Sequence, residues 1–285
     1  MNISQLAQTI TDLTEQATIA DLILCLGGIL VLAVWLLKTS FGTKALLDAP
    51  IRRNNMPPYL AIIPLFVWFV VVSSLAYIKT MTLSALPDWQ SAFADNLTLC
   101  VGVAPAVAVS VIIARTCFAR RLKGFGLNPK TIVGDFGMAL LNLLAIMPVV
   151  LAVVILTTLA GKLIVGPQFE MPRHDELKQI INYPQWQVRA LIVFTAIVVV
   201  PLTEEIFFRG LFQTMLRSYI TRPWPAIIFA SLVFVVFHEN PQHWPALFAL
   251  SLCLGYAYEK SGSLFRPIFI HSMFNALSVF AALYQ

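Results

Sequence analysis

The sequence predicts an all-α fold, a polytopic bundle of about eight transmembrane helices. Three observations predict it. Apolar residues make up 59% of the 285 positions and charged residues only 12%, against about 45–50% and 25% in soluble domains. The apolar residues fall in long uninterrupted runs, and mean hydropathy is +0.81. Lys and Arg gather in the short loops between those runs, as cytoplasmic loops of membrane proteins do.

A helix needs roughly 20 residues to cross a bilayer. Suitable runs occupy about 20–38, 58–78, 96–115, 137–160, 188–217, 224–238, 244–258 and 264–283, the sixth and seventh being short. Pro223, Pro225, Pro241, Pro245 and Pro267 punctuate the last third and fit helix starts or breaks. Ahead of the first run, residues 1–19 read as an interfacial segment, with Leu6, Ile10 and Leu13 on one face. Asp12, Glu15 and Asp21, without a basic stretch before them, argue against a cleaved signal peptide. Residues 20–285 read as a single membrane domain with no separate soluble module, its chemistry concentrated in about 188–285. Asn96 reads as a helix cap, and Trp224 and Trp244 as anchors at the membrane interface.

The basic loops give the orientation. Lys38, Lys44, Arg52 and Arg53 follow the first run, and Arg115, Arg120, Arg121, Lys123 and Lys130 follow the third. Arg217, Arg222, Lys260 and Arg266 continue the same side. That side is predicted to be cytoplasmic, with both termini outward. The loop 161–187 is the largest feature opposite, predicted as a partly ordered cap. The pI near 9.1 thus reflects topology and implies no nucleic acid. Cys25, Cys100, Cys117 and Cys253 form no C-x-x-C pair and read as small apolar helix residues.

Glu204 and Glu205 stand at the end of an almost wholly apolar run, Ala190 to Val200. A carboxylate near the middle of a bilayer costs about 2.5–3.5 kcal/mol or more, so these two need partners. Arg209 lies four residues after Glu205, the favourable order for an ion pair on one helix face. Glu205–Arg209 therefore reads as an internal salt bridge, and Glu204 as the freer acid able to bind water. His238 ends the next apolar run, with Phe234 one turn before it as packing. His271 and Asn275 share a face of the last run. Glu204 and His238 lie equally far in sequence from the turn at Thr221, which predicts similar depth. His271 comes out shallower, unless that turn protrudes from the lipid or the last helix starts deeper. Acid, two imidazoles and an amide compose amide hydrolysis, with His271 and Asn275 as donors to a developing oxyanion. His238-Glu239-Asn240-Pro241-Gln242-His243 comes near the zincin pattern, but its histidines are five apart and Pro241 breaks the helix. His174 and His243 are assigned no catalytic role.

The runs Glu204-Glu205-Ile206-Phe207-Phe208-Arg209, Phe234 to His238 and His271 to Asn275 resemble the CPBP family of CAAX proteases and bacteriocin-processing proteins, also called the Abi family. It includes the type II CAAX prenyl endopeptidases. The resemblance implies an all-helical intramembrane peptidase opening towards the cytoplasm. It implies that Glu204 and His238 activate water while His271 and Asn275 form the oxyanion site. The expected cofactor is none; zinc, if present, would draw on Glu204, His238 and His271. The expected partners are membrane lipid and a peptide or protein substrate, and the expected location is the plasma (inner) membrane. Two other readings stand beside it. One is a proton or ion transporter relaying through the same residues, and the other a catalytically silent scaffold or immunity factor.

Overall fold

The computed structural model describes residues 19–50, 52–83, 85–172 and 175–283. The proposed interfacial segment, apart from Ile19, and His174 lie outside them. Ten helices run through the described residues: α1 Ile19–Lys38, α2 Ile63–Thr82, α3 Asp88–Cys117, α4 Arg121–Phe125, α5 Ile132–Ile164, α6 Asp175–Asn182, α7 Trp186–Tyr219, α8 Pro223–Val236, α9 Trp244–Ser261 and α10 Phe265–Leu283. Among these residues there is no strand, only an isolated antiparallel bridge between Asn54 and Phe118. Each of the eight apolar runs is helical.

Four helical stretches, Pro58–Thr82, Asp88–Cys117, Pro129–Ile164 and Trp186–Tyr219, are long and apolar enough to cross a membrane; Leu22–Lys38 and Pro223–Val236 are shorter apolar stretches. Large apolar side chains such as Leu22, Phe66, Phe69, Leu141 and Phe280 face outward, a surface that suits lipid better than water. The protein is an integral membrane protein.

Packing places α7 in the interior. It touches α3, α8, α9 and α10, while α5 packs against α1, α9 and α10. Residues Glu205 to Leu211 are all buried, so this stretch has no lipid-facing side and behaves as a central helix. Its aromatic side chains Phe207 and Phe208 join Phe125, Phe234 and Tyr258 in one core cluster. A second cluster joins α5 to α9 and α10 through Leu143, Leu250, Leu254 and Ile270. Arg266 adds an ion pair to buried Asp135 at 3.0 Å, fixing the start of α10 against α5. Gly210 allows a close approach: a Cβ there would lie 2.3 Å from the Phe125 ring.

The structure corrects two expectations, the Asn96 cap and the end of the sixth run, and adds detail to the tryptophans and the loop 161–187. Asn96 is no cap, because α3 starts eight residues earlier at Asp88; its amide donates instead to Ala92 O and to Gln179 Oε1 of α6. The indole N–H groups of Trp224 and Trp244 are turned to protein, donating to Gly42 O and His238 O. The span expected to reach residue 238 ends as α8 at Val236, so His238 sits in the turn just beyond. The loop 161–187 contains α6, whose Ile180 is buried with Val188, Ile192 and Val279.

Candidate active site

The local backbone of α7 sets the site. Pro201 lacks an N–H and cannot continue the helical ladder. The helix absorbs this with a π-helical stretch, Thr195–Val199, in which Val200 N donates five residues back to Thr195 O. In that register the next carbonyl, Ala196 O, would be served by Pro201, which has no proton to give. Asn275 of α10 supplies it: its Nδ2 donates to Ala196 O at 2.8 Å. A freed backbone acceptor inside a membrane is costly unless a neighbouring helix satisfies it. A second π-helical stretch, Glu205–Gln213, begins directly after Glu204, and such segments recur at functional sites.

Glu205 is fully buried and serves two donors. Arg209 Nη1 donates to Glu205 Oε1 at 3.1 Å, and His271 Nδ1 lies 2.9 Å from the same oxygen. With Glu205 ionised, Nδ1 is the donor, which fixes the imidazole's orientation. The ring then presents Nε2 to Glu204, whose Oε2 lies 3.8 Å away. That separation exceeds a hydrogen bond. Glu204 Oε2 and Glu205 Oε2 are both buried without a hydrogen-bond partner among the described residues. The Glu204 side chain keeps 24% exposure, whereas Glu205 keeps none. Glu204 is therefore the carboxylate that can meet an incoming group.

Arg209 is held on three sides. Besides Glu205, its Nη2 donates to Ser251 Oγ at 2.8 Å, and its guanidinium lies 4.5 Å above the Phe234 ring. Phe234 is the platform of the site rather than filler. Its ring centroid is 4.6 Å from that of His238 and 6.1 Å from that of His271. His238 Nδ1 bonds Phe234 O at 2.9 Å, leaving Nε2 for other partners. Among the described residues His238 makes no direct hydrogen bond or ion pair to Glu204.

The sequence-predicted residues are thus brought together unevenly. Glu205, Arg209 and His271 form one bonded cluster, with Glu204 3.8 Å from His271 beside it, Phe234 and His238 along its edge and Asn275 engaged with Ala196 a turn of α10 away. His271 is not shallower than the glutamates. Its Nδ1 lies 2.9 Å from Glu205 Oε1, so the two share a level. Three partners were missed: Ser251, the His271–Glu205 bond and the Asn275–Ala196 bond. Pro201 inside a helical run was the available signal for the last.

Among the described residues no group of three or more His, Cys, Asp or Glu side chains is arranged to hold a metal ion. Glu204 and His271 approach each other, but His238 does not join them, so the donor set does not fit a zinc site as it stands. In the near-zincin stretch, Pro241–His243 is a separate 3₁₀ turn and His243 Nε2 pairs with Pro172 O at 2.9 Å.

Three comparisons bear on this arrangement. The family described as type II CAAX prenyl endopeptidase Rce1-like matches residues 185–277, a stretch that includes all three motifs. An uncharacterized 24.3 kDa protein of Escherichia coli is 27% identical over 115 residues, 39% of this chain and 53% of the relative. The chain thus spans about half the length of the curated relative it matches. No solved structure matches.

Proposed function

We propose that this chain, whose residues 185–277 match the family described as type II CAAX prenyl endopeptidase Rce1-like, is an intramembrane endopeptidase in which Glu204 activates water. The observation that carries the proposal is the contrast between the two acids. Glu205 is locked to Arg209 and His271, while Glu204 Oε2 has no protein hydrogen bond and lies 3.8 Å from His271 Nε2. The mechanism sets a water within about 2.8 Å of both atoms.

In this reading Glu204 takes a proton from the water as its oxygen attacks the peptide carbonyl. His271, steadied through Nδ1 by Glu205, donates from Nε2 as an imidazolium to the oxyanion. Asn275 has a second amide proton besides the one given to Ala196 and adds it as an oxyanion donor. His238 shares the water or carries its proton. The proton held by Glu204 then passes to the leaving amine as the C–N bond breaks. Arg209 and Phe234 position this set. Substrates are peptides or proteins, membrane-anchored ones included. The site opens towards the basic, cytoplasmic side of the plasma membrane, from one membrane domain over 20–285.

Asn275→Ala is expected to lower turnover by about 10²–10³, the usual loss for one oxyanion donor, with substrate binding little changed. Because Asn275 also serves Ala196 O, a modest fall in melting temperature should accompany it. Steady-state kinetics beside a thermal melt checks both. A fall in stability with normal turnover would leave Asn275 as a helix clamp alone.

We also propose that turnover needs no bound metal. Purified active protein is expected to carry far less than one zinc per chain and to survive a strong chelator. Elemental analysis with activity before and after chelation is the test. Stoichiometric zinc together with reversible chelator inhibition would overturn the metal-free mechanism and leave the peptidase reading standing, with Glu204 as base beside a metal-bound water.

A further inference from the structure

A cavity of about 620 Å³ lies well away from the glutamates, and four cations line it: Arg52, Arg53, Arg120 and Lys123. No acid lines it. A neighbouring cavity of about 360 Å³ shares Arg52 and Arg53 and adds Arg217 and Glu259. At about 1.5 Å per residue, Arg217 lies roughly 18 Å along α7 from Glu205. The two sites are therefore separate.

The cavity is built, not a chance gathering of surface charge. The Asn54–Phe118 bridge and the Ala119 N to Arg53 O bond at 3.1 Å pin the Arg52–Arg53 segment beside the start of α4. The opposite wall is the α9–α10 turn, where Leu264 N donates to Gly126 O at 2.9 Å. Gly126 has φ +106°, and a Cβ there would meet Leu264 N at 2.7 Å.

The charge on this wall is unanswered. Glu259 pairs with Arg52 at 3.4 Å and Arg217 at 3.5 Å and accepts from Gln213 at 3.2 Å. Its charge is spent on those groups. The side chains of Arg53, Arg120 and Lys123 have no carboxylate or hydrogen-bond partner among the described residues. The Arg52 side chain is 7% exposed, lies with its guanidinium 3.6 Å over the Tyr258 ring, and donates to Tyr258 O. Its Nε is buried with no partner. A buried donor and three exposed cations around one cavity offer an anion a complementary site.

The surroundings say which anion. Among the described residues, this end of the bundle holds 13 Lys and Arg residues and only Asp48, Asp135 and Glu259 as acids. Thr131 lines the cavity at the start of α5, and just beyond it Val133, Phe136 and Leu140 form an exposed apolar stripe at i, i+3 and i+7. A headgroup in the cavity would leave its acyl chains against that stripe. We propose that this cavity binds the phosphate of an anionic phospholipid headgroup, a mode seen for basic pockets between membrane helices.

The test uses the full chain in detergent, with its melting temperature titrated against dioleoylphosphatidylglycerol, dioleoylphosphatidylcholine or inorganic phosphate. The anionic lipid is expected to raise the melting temperature saturably and the other two to have little effect. Arg120→Gln with Lys123→Gln should weaken the lipid's apparent affinity about tenfold or more. Lys38→Gln with Lys44→Gln removes the same charge from the same end but lines neither cavity, and should leave the affinity within about twofold. Arg53→Gln, expected to act like the first pair, keeps the test open should that pair fail to fold. Equal loss in both double variants would reduce the effect to diffuse attraction and overturn the site. A shift reproduced by phosphatidylcholine would remove the need for an anion, and one reproduced by inorganic phosphate would replace the lipid with free phosphate. Either result overturns the proposal.

Discussion

Glu204→Ala is expected to abolish peptide cleavage while the protein still folds and inserts. The side chain accepts no hydrogen bond among the described residues and is 24% exposed, so its removal strands few groups. A general base contributes about 10²–10⁴-fold to the rate, and at least that much should be lost. His238→Ala should also stop turnover without unfolding the chain, because among the described residues its ring bonds only a local carbonyl, Phe234 O. Turnover of purified variants with matched melting curves checks both. Near-native turnover by Glu204→Ala would remove the mechanism.

Arg209→Ala should fail in a different way, by loss of fold. Its side chain is 1% exposed and Glu205 has no exposure at all. Truncation leaves the Glu205 carboxylate with His271 as its one remaining partner and strips Ser251 Oγ and the Phe234 ring of their cation. Breaking a buried pair from one side costs about 3–5 kcal/mol. Low yield and an early melt in detergent are expected, with activity falling as a consequence. Arg209→Lys should rescue poorly, since an ammonium cannot span Glu205 and Ser251 with one planar fork. Adding Glu205→Gln to Arg209→Ala should recover part of the lost stability, because the stranded charge is then gone. Normal melting beside lost activity in Arg209→Ala would place the guanidinium in the chemistry instead.

The fold class and the central cluster were legible for simple reasons. Apolar runs of bilayer length report helices directly, and Glu204, Glu205, Arg209 and His271 are costly in such runs unless they meet. What could not be read was hydrogen-bond register. An α-helix and a π-helix share the same hydropathy in a stretch buried on all sides, so the π-helical segments around Glu204 left only Pro201 as a trace. The partners of α7 on α9 were hidden too. Arg209–Ser251, Gln213–Gly255 and Arg217–Glu259 keep a constant offset of 42 residues. Ser251 and Gly255 carry no charge, so nothing in the pattern advertises that seam. The depth of His271 was misjudged because it was counted along separate helices from their turns, whereas its bond to Glu205 puts the two at one level.

The most direct measurement is mass spectrometry of a membrane-anchored peptide incubated with the purified protein in proteoliposomes prepared in ¹⁸O-water. Native protein is expected to yield a defined pair of fragments, with ¹⁸O in the new C-terminal carboxyl, and Glu204→Gln protein to yield neither. The same fragments at the same rate from both proteins would contradict the account, because the bond would then break without the carboxylate held responsible for activating water.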